Sequence, residues 1–298
     1  MISYHEFYDA LGSQCDPSYT LRGGKSSSSA VDVTMIASMV SAGYTVVVPD
    51  YEGPNMRWTI GKESAHAALD GIRAAQRFLR APASTPVGLY GYSGGSIPTG
   101  FGAELAPSYA PELNLVGATA GGVLVNPAHN LAYVNGTTRW SAVIPALMSV
   151  YDETYGIGID KYLSPKGVQV LGDIRGECIN NFLGKYPNLT DSSLLLPQYP
   201  SLLDVPGIPA AIKANVMGSL GTPRTPMMLG VGDKDGRGDG VMLTADVVGL
   251  SRSYCARGLS TSIHVYQGLD HAEALAPWTG DALAYLNDRF AGRPAPRC

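Results

Sequence analysis

The sequence predicts an α/β fold built on a parallel sheet, and three observations carry that expectation. Apolar, strand-like runs alternate with helical stretches along most of the chain, which is the rhythm of βαβ units. The run Tyr44-Thr45-Val46-Val47-Val48-Pro49-Asp50 is continuously apolar and β-branched, as in a strand buried on both faces. Pro86-Val87-Gly88-Leu89-Tyr90 leads through Gly91-Tyr92-Ser93-Gly94-Gly95 into small, helix-compatible residues up to Ala106, giving strand, tight turn and helix in succession.

In chain order, residues 2–8 read as a short strand entering a loop that carries Cys15 and the flexible segment Gly23-Gly24-Lys25-Ser26 to Ser29. A helix from Ala30 to Ala42 stops at Gly43, and the strand of Tyr44–Asp50 follows. From Glu63 to Arg80, Ala65, Ala68, Leu69, Ile72, Ala75 and Leu79 fall at helical spacing, with Arg73, Arg77 and Arg80 off that stripe. The strand and helix around Ser93 come next, then a strand near Leu113–Ala118. Between Asn126 and Thr222 the rhythm breaks, with helical stretches at Trp140–Val150 and Gly167–Leu183 and no buried strand. A segment of that length exceeds a loop and reads as a mostly helical cap inserted into the core. The expected division is therefore core at 1–125, cap at 126–222 and core again at 223–298. The alternation resumes with a strand at Pro226–Val231, a helix at Leu243–Arg257, a strand at Thr261–Tyr266 and a helix at Gly280–Phe290.

The 298 residues, 45 % of them hydrophobic, are enough to bury a substantial core. A net charge of -4 without basic runs excludes a nucleic-acid partner. No apolar segment has the length of a transmembrane helix, and the first residues lack the pattern of a signal peptide. Cys15, Cys178, Cys255 and Cys298 are too dispersed for a zinc or thioredoxin-type motif; composition leaves two disulfides and four buried thiols equally open.

The chemistry centres on Ser93. Gly-x-Ser-x-Gly between a strand and a helix places the serine on a turn too tight for side chains two positions to either side, hence Gly91 and Gly95. A serine hydroxyl needs a base to take its proton, and histidine oriented by a carboxylate does this best near neutral pH. His5 and His264 fall in strands, His66 on a helix and His129 at the entrance of the inserted segment. His271 follows the last strand, at the end where functional groups of α/β sheets gather, and satisfies the chain order serine, acid, histidine. Three candidates for the acid, Asp233, Asp235 and Asp239, follow the preceding strand. Their spacing fails as a calcium loop, because Arg237 stands at position 5 and Thr244 where a glutamate is needed. No phosphate-binding loop or dinucleotide fingerprint is present, and no metal or cofactor is expected. Acyl transfer also needs two backbone N–H groups facing the developing oxyanion. Gly94, after the serine, is one candidate; Asp50, at the end of an earlier strand, reads on physics alone as a turn aspartate.

Taken together, Ser3-Tyr4-His5, Cys15-Asp16-Pro17-Ser18-Tyr19, Val48-Pro49-Asp50-Tyr51-Glu52-Gly53, Leu69-Asp70-Gly71-Ile72-Arg73-Ala74, Gly91-Tyr92-Ser93-Gly94-Gly95, Tyr109-Ala110-Pro111-Glu112-Leu113, Cys255-Ala256-Arg257-Gly258 and Asp270-His271 resemble the secretory lipase family, especially its actinobacterial members, over nearly the whole chain. The resemblance implies an α/β-hydrolase with a helical cap that cleaves carboxylic esters, triacylglycerols included, outside the cell and at lipid–water interfaces. It places the nucleophile at Ser93, the base at His271 and the oxyanion donors at Gly94 and Asp50. The segment leading to Cys255 favours Asp239 as the acid, with Asp235 the alternative. Family members carry an export signal and further residues ahead of the Ser-Tyr-His segment, so the first strands of the sheet are expected to lie outside this chain. The expected disulfides are Cys15–Cys178, fastening the cap to the N-terminal loop, and Cys255–Cys298, tying down the C-terminus. Leu147, Met148, Leu194, Leu195, Leu196 and Leu203 are expected to help the cap build most of the acyl-binding wall. The same triad also serves peptidases and acyltransferases, and the fold also serves inactive binding modules.

Overall fold

The computed structural model describes residues 1–24 and 30–298. Residues 25–29, read from the sequence as part of a flexible loop, lie outside the described residues. Among the described residues one parallel sheet of six strands forms, in the order β2-β1-β3-β4-β5-β6. The strands are β1 (Ile2–His5), β2 (Val46–Val47), β3 (Val87–Tyr92), β4 (Leu115–Gly121), β5 (Met227–Asp233) and β6 (Thr261–Gln267). The chain runs outward from β1 to β2, then returns to the other side of β1 with β3. The winding direction therefore reverses between β1 and β3, and the carboxyl ends of these two strands flank a switch point where α/β sheets bind ligands.

Helices α1 (Pro17–Thr20), α2 (Ala30–Ser41), α3 (Gly61–Phe78) and α4 (Ser96–Tyr109) connect the first strands. Between β4 and β5 lie α5 (Pro127–Val134), α6 (Val143–Tyr155), α7 (Pro165–Ile174), α8 (Ile179–Phe182), α9 (Asp191–Leu194) and α10 (Ile208–Lys213). Helix α11 (Thr244–Ala256) joins β5 to β6, and α12 (Leu275–Phe290) follows β6.

Strand alternation sorts the buried side chains into two layers. Val87, Leu89, Met227, Leu229 and Val231 join Leu69, Ile72 and Phe101 of α3 and α4 and Val247 and Tyr254 of α11. Ile2, Tyr4, Tyr90, Tyr92 and Met228 join Met39 of α2 and Trp278 and Leu286 of α12 on the other face. The first layer runs on without a break into Ile144, Met148, Leu194 and Ile208 of the helices between β4 and β5.

Two expectations need correction. The apolar run at Tyr44–Asp50 pairs only at Val46 and Val47, and both are half-buried. It is an edge strand with β1 as its one partner, and Pro49 has no N–H to extend the ladder. The helix expected over Gly167–Leu183 is two, α7 and α8, interrupted near Gly176, whose φ of 73° is left-handed. Helix α5 escaped the sequence reading. Its start is nonetheless encoded, since Asn126 accepts the Ala128 N–H at 3.1 Å and Pro127 occupies the first turn.

Disulfides join Cys15 to Cys178 and Cys255 to Cys298, with Cα atoms 5.7 and 5.9 Å apart. The first ties the loop after β1 to the inserted helices. Backbone bonds flank it, from Ile179 N–H to the Asp9 carbonyl at 3.1 Å and from Leu11 N–H to the Glu177 carbonyl at 2.9 Å. Removing it in the Cys15→Ser/Cys178→Ser variant is expected to cost about 2–5 kcal/mol and lower the melting temperature measured by circular dichroism. An unchanged melting curve would show that the hydrogen bonds alone hold this junction.

Candidate active site

Ser93 sits where β3 turns into α4, with a φ of 53° that a side-chain-bearing residue adopts only under constraint. The constraint is close packing on both sides. A Cβ on Gly91 would lie 2.0 Å from the Gly95 carbonyl oxygen, and one on Gly95 would lie 2.0 Å from the His5 carbonyl oxygen. Both obstacles are backbone, so neither yields to a rotamer change. His5 itself is buried beneath the turn, with Nδ1 2.6 Å from Thr99 Oγ1 and Nε2 3.0 Å from Ser3 Oγ. Burial pushes its imidazole down to about 3, so it stays neutral as a structural peg.

The hydroxyl of Ser93 lies 2.7 Å from His271 Nε2, and His271 Nδ1 lies 2.7 Å from Asp239 Oδ2. Asp239 is 0 % and His271 5 % exposed. The other oxygen of Asp239 accepts the N–H groups of Val241 at 3.0 Å and Met242 at 2.6 Å, which fixes the orientation of the carboxylate. The backbone repeats the link, because His271 N–H donates to the Asp239 carbonyl at 2.8 Å. Tyr92 O–H holds the His271 carbonyl at 2.6 Å, and Trp140 meets the imidazole edge-on, ring centres 5.2 Å apart. In this arrangement the imidazole can take the hydroxyl proton while a buried carboxylate balances the charge it acquires.

The remaining sequence candidates stand elsewhere. Asp235 accepts the N–H groups of Arg237 and Gly238, both at 2.9 Å, and the Tyr133 hydroxyl at 2.9 Å. His66 packs at a tilt against Tyr109, His129 pairs with Asp246 and His264 with Asp281. Asp50, expected as an oxyanion donor, makes its hydrogen bond elsewhere. Its carboxylate accepts the Ser18 N–H at 2.8 Å, and it lines neither of the cavities that reach the serine.

Asp9, by contrast, lines both of those cavities. It follows β1, the strand hydrogen-bonded beside β3, whereas Asp50 follows β2 at the sheet edge. A Cβ on Gly94 would lie 1.8 Å from Asp9 Oδ1, so the carboxylate rests against that glycine, and Trp58 Nε1–H donates to the same oxygen at 2.6 Å. Asp9 also has a positive φ, of 36°. The signal that finds it is spatial: the loop facing a nucleophile follows the strand paired with the nucleophile strand, not the one just before it in sequence.

Two cavities meet at Ser93. A narrow one of about 60 Å³ passes Gly94 and Thr59 and is walled by Leu131, Val134, Val143 and Leu147. A wider one of about 320 Å³ passes His271 and is lined by Phe7, Arg139, Leu183 and Leu275. Of the aliphatic residues expected to form an acyl wall, Leu147 does line the narrow cavity. Met148, Leu194 and Leu195 are spent in the core, and Leu203 is 39 % exposed.

A parallel sheet with helices on both faces, a serine on the strand-to-helix turn and a carboxylate and a histidine after β5 and β6 define the α/β-hydrolase class. The model of the secretory lipase family matches residues 23–297, and the chain belongs to that family. A secreted triacylglycerol lipase of Malassezia furfur is 28 % identical over 100 % of this chain and 80 % of its own length. A probable inactive lipase of Mycobacterium tuberculosis is 31 % identical over 99 % of this chain and 66 % of its own. The closed-state structure of Candida antarctica lipase A superposes with a TM-score of 0.89 at 28 % identity, covering 100 % of this chain and 72 % of that one. By family, then, this is a secreted ester hydrolase of the lipase and esterase type. Among the described residues no helix is long and apolar enough to cross a membrane.

Three buried carboxyls, Glu6, Asp9 and Glu52, lie in or beside the site. Burial raises Asp9 to about 6, against the lowering pull of Trp58 and His271. Burial, with the nearby charges of Asp32 and Asp50, raises Glu6 to about 8. Burial, then the charge of Asp9, holds Glu52 well above the usual range, although it accepts the Ala10 N–H. Each group keeps its proton in the folded state at pH values where the unfolded chain has lost it. Their contribution to stability is therefore full below about pH 4 and is lost as pH rises toward about 8. Glu52→Gln should flatten this decline in thermal melts recorded from pH 4 to 8. An undiminished slope in the variant would remove Glu52 from the account.

Proposed function

We propose that this chain is a serine carboxylic-ester hydrolase working through an acyl-enzyme, without metal or cofactor. The observation that carries the reading is the continuous Ser93–His271–Asp239 relay, with both links at 2.7 Å, at the meeting point of two apolar-walled cavities. Ser93 Oγ attacks the ester carbonyl carbon as its proton passes to His271 Nε2, and Asp239 stabilises the imidazolium. The carbonyl oxygen, now an oxyanion, is held by the backbone N–H of Gly94 and that of Asp9. On collapse the ester C–O bond breaks, and the alkoxide takes the proton from Nε2 and leaves as alcohol. Water then attacks the acyl-serine with His271 as base, releasing the acid and restoring the hydroxyl.

In this reading residues 1–125 and 223–298 form the catalytic core and 126–222 a cap over its carboxyl edge. Support for the cap comes from Leu131, Val134, Val143 and Leu147, which wall the narrow cavity from helices inserted between β4 and β5. The mycobacterial relative is named a probable inactive lipase; an inactive binding module has no use for a buried imidazole between a carboxylate and a strained serine.

The test is hydrolysis of p-nitrophenyl esters, with a peptide p-nitroanilide as control. Ser93→Ala should abolish ester turnover while the circular dichroism spectrum stays unchanged. Asp239→Asn should lose on the order of 10⁴ in kcat, whereas Asp235→Asn stays within a few-fold of the parent. Retained activity in Ser93→Ala would refute the nucleophile; a collapse in Asp235→Asn alone would move the acid there. Faster cleavage of the anilide than of any ester would make the protein a peptidase.

A further inference from the structure

The two cavities differ in which part of the relay they touch, and this assigns the two halves of an ester. His271 lines the wide cavity and not the narrow one; Gly94 lines the narrow cavity and not the wide one. Ser93, Asp9, Trp140 and Ile179 belong to both and form the neck between them. The leaving oxygen must be protonated by His271 Nε2, so the alcohol half occupies the cavity on the histidine's side. The acyl half, bonded to the carbon that Ser93 attacks with its oxygen toward Gly94, occupies the other.

Volume then decides what each half can be. A dry apolar cavity of about 150 Å³ accepts benzene. The acyl side, at about 60 Å³, is less than half that size. The alcohol side, at about 320 Å³, is roughly twice it. Two walls of the acyl side are held by packing: Val134 and Leu147 are buried and belong to the same apolar cluster as the core. The alcohol side also carries Arg139, Glu6 and Asn180, so it tolerates polar substituents where the acyl side does not.

We propose that this protein selects esters of short acids, acetyl to butyryl, with bulky, ring-sized alcohols, rather than long-chain acylglycerols. The assignment rests on the serine-hydrolase reading above, because without His271 as proton donor the cavities have no chemical polarity. Size discrimination of this kind is worth roughly 10–200-fold per misfitted methylene in a rigid pocket.

An isomeric pair isolates the effect. In 2-phenylethyl acetate the ring is on the alcohol; in ethyl phenylacetate it is on the acyl group; both release a primary alcohol. The proposal expects kcat/KM at least about tenfold higher for 2-phenylethyl acetate, and it expects Leu147→Ala to narrow that ratio by opening the acyl side. Val143→Ala, at a half-buried position on the same wall, should act in the same direction if Leu147→Ala folds poorly. A ratio near one, or a preference for ethyl phenylacetate, overturns the assignment. So does a p-nitrophenyl series that peaks at octanoyl or longer in the parent protein. Inactivation by a methyl and by a dodecyl phosphonate separates the two levels of the claim. Faster reaction with the methyl compound supports the short acyl side, and faster reaction with the dodecyl compound overturns it alone. No inactivation by either, in folded protein, overturns the serine-hydrolase reading and this inference with it.

Discussion

The structure depends on one contact: the His5 carbonyl pressed against Gly95 beneath the turn at Ser93. It links β1 to the start of α4 and leaves no room for a Cβ at the glycine, so the turn closes with Ser93 at a left-handed φ. In that conformation the hydroxyl meets His271 Nε2. His5 is kept neutral and doubly hydrogen-bonded, which lets a polar ring sit in the core without an unpaired charge. The Ser-Tyr-His sequence and the Gly-Tyr-Ser-Gly-Gly sequence, far apart in the chain, are therefore two halves of one packing arrangement.

That arrangement works because β1 and β3 are neighbours at the point where the sheet reverses its winding. The loop after β1 carries Asp9 to the face of Gly94, and the Cys15–Cys178 bridge joins this loop to the helices inserted between β4 and β5. The same helices wall the narrow cavity. On the opposite flank, β5 and β6 deliver Asp239 and His271, whose backbone and side-chain bonds run in parallel and fix the imidazole before any substrate arrives. The site is held rigidly from the strand ends on both sides of Ser93. The buried carboxyls gathered on the β1 side are the cost, and they make the fold sensitive to rising pH.

What could be read from the sequence was what local chemistry encodes. Ser93 announced itself through the strand, the glycines and the helix around it; His271 through its place after the last strand; and β5, α11 and β6 through regular alternation. Asp239 could not be separated from Asp235 by spacing, since both follow β5; family resemblance favoured it, and its full burial and its contact with His271 Nδ1 distinguish it. Asp9 was missed because its position depends on which strands are neighbours, and the chain visits β2 between β1 and β3. Asp50 was favoured by family resemblance, since its own residues read only as a turn at the end of an earlier strand. The β-branched run before Asp50 overstated β2 for a related reason: composition reports the tendency to extend, but an edge position and Pro49 decide how much of it is paired.

The central claim is that Ser93 becomes covalently acylated, with His271 moving the proton. The most direct measurement is rapid-quench mass spectrometry during turnover of p-nitrophenyl acetate, with peptide mapping of the trapped protein. The account predicts a pre-steady-state burst of p-nitrophenol together with an acetyl adduct confined to Ser93, and loss of both when His271 is replaced by alanine. A linear release without any adduct, or an adduct on another residue with Ser93 unmodified, would contradict it.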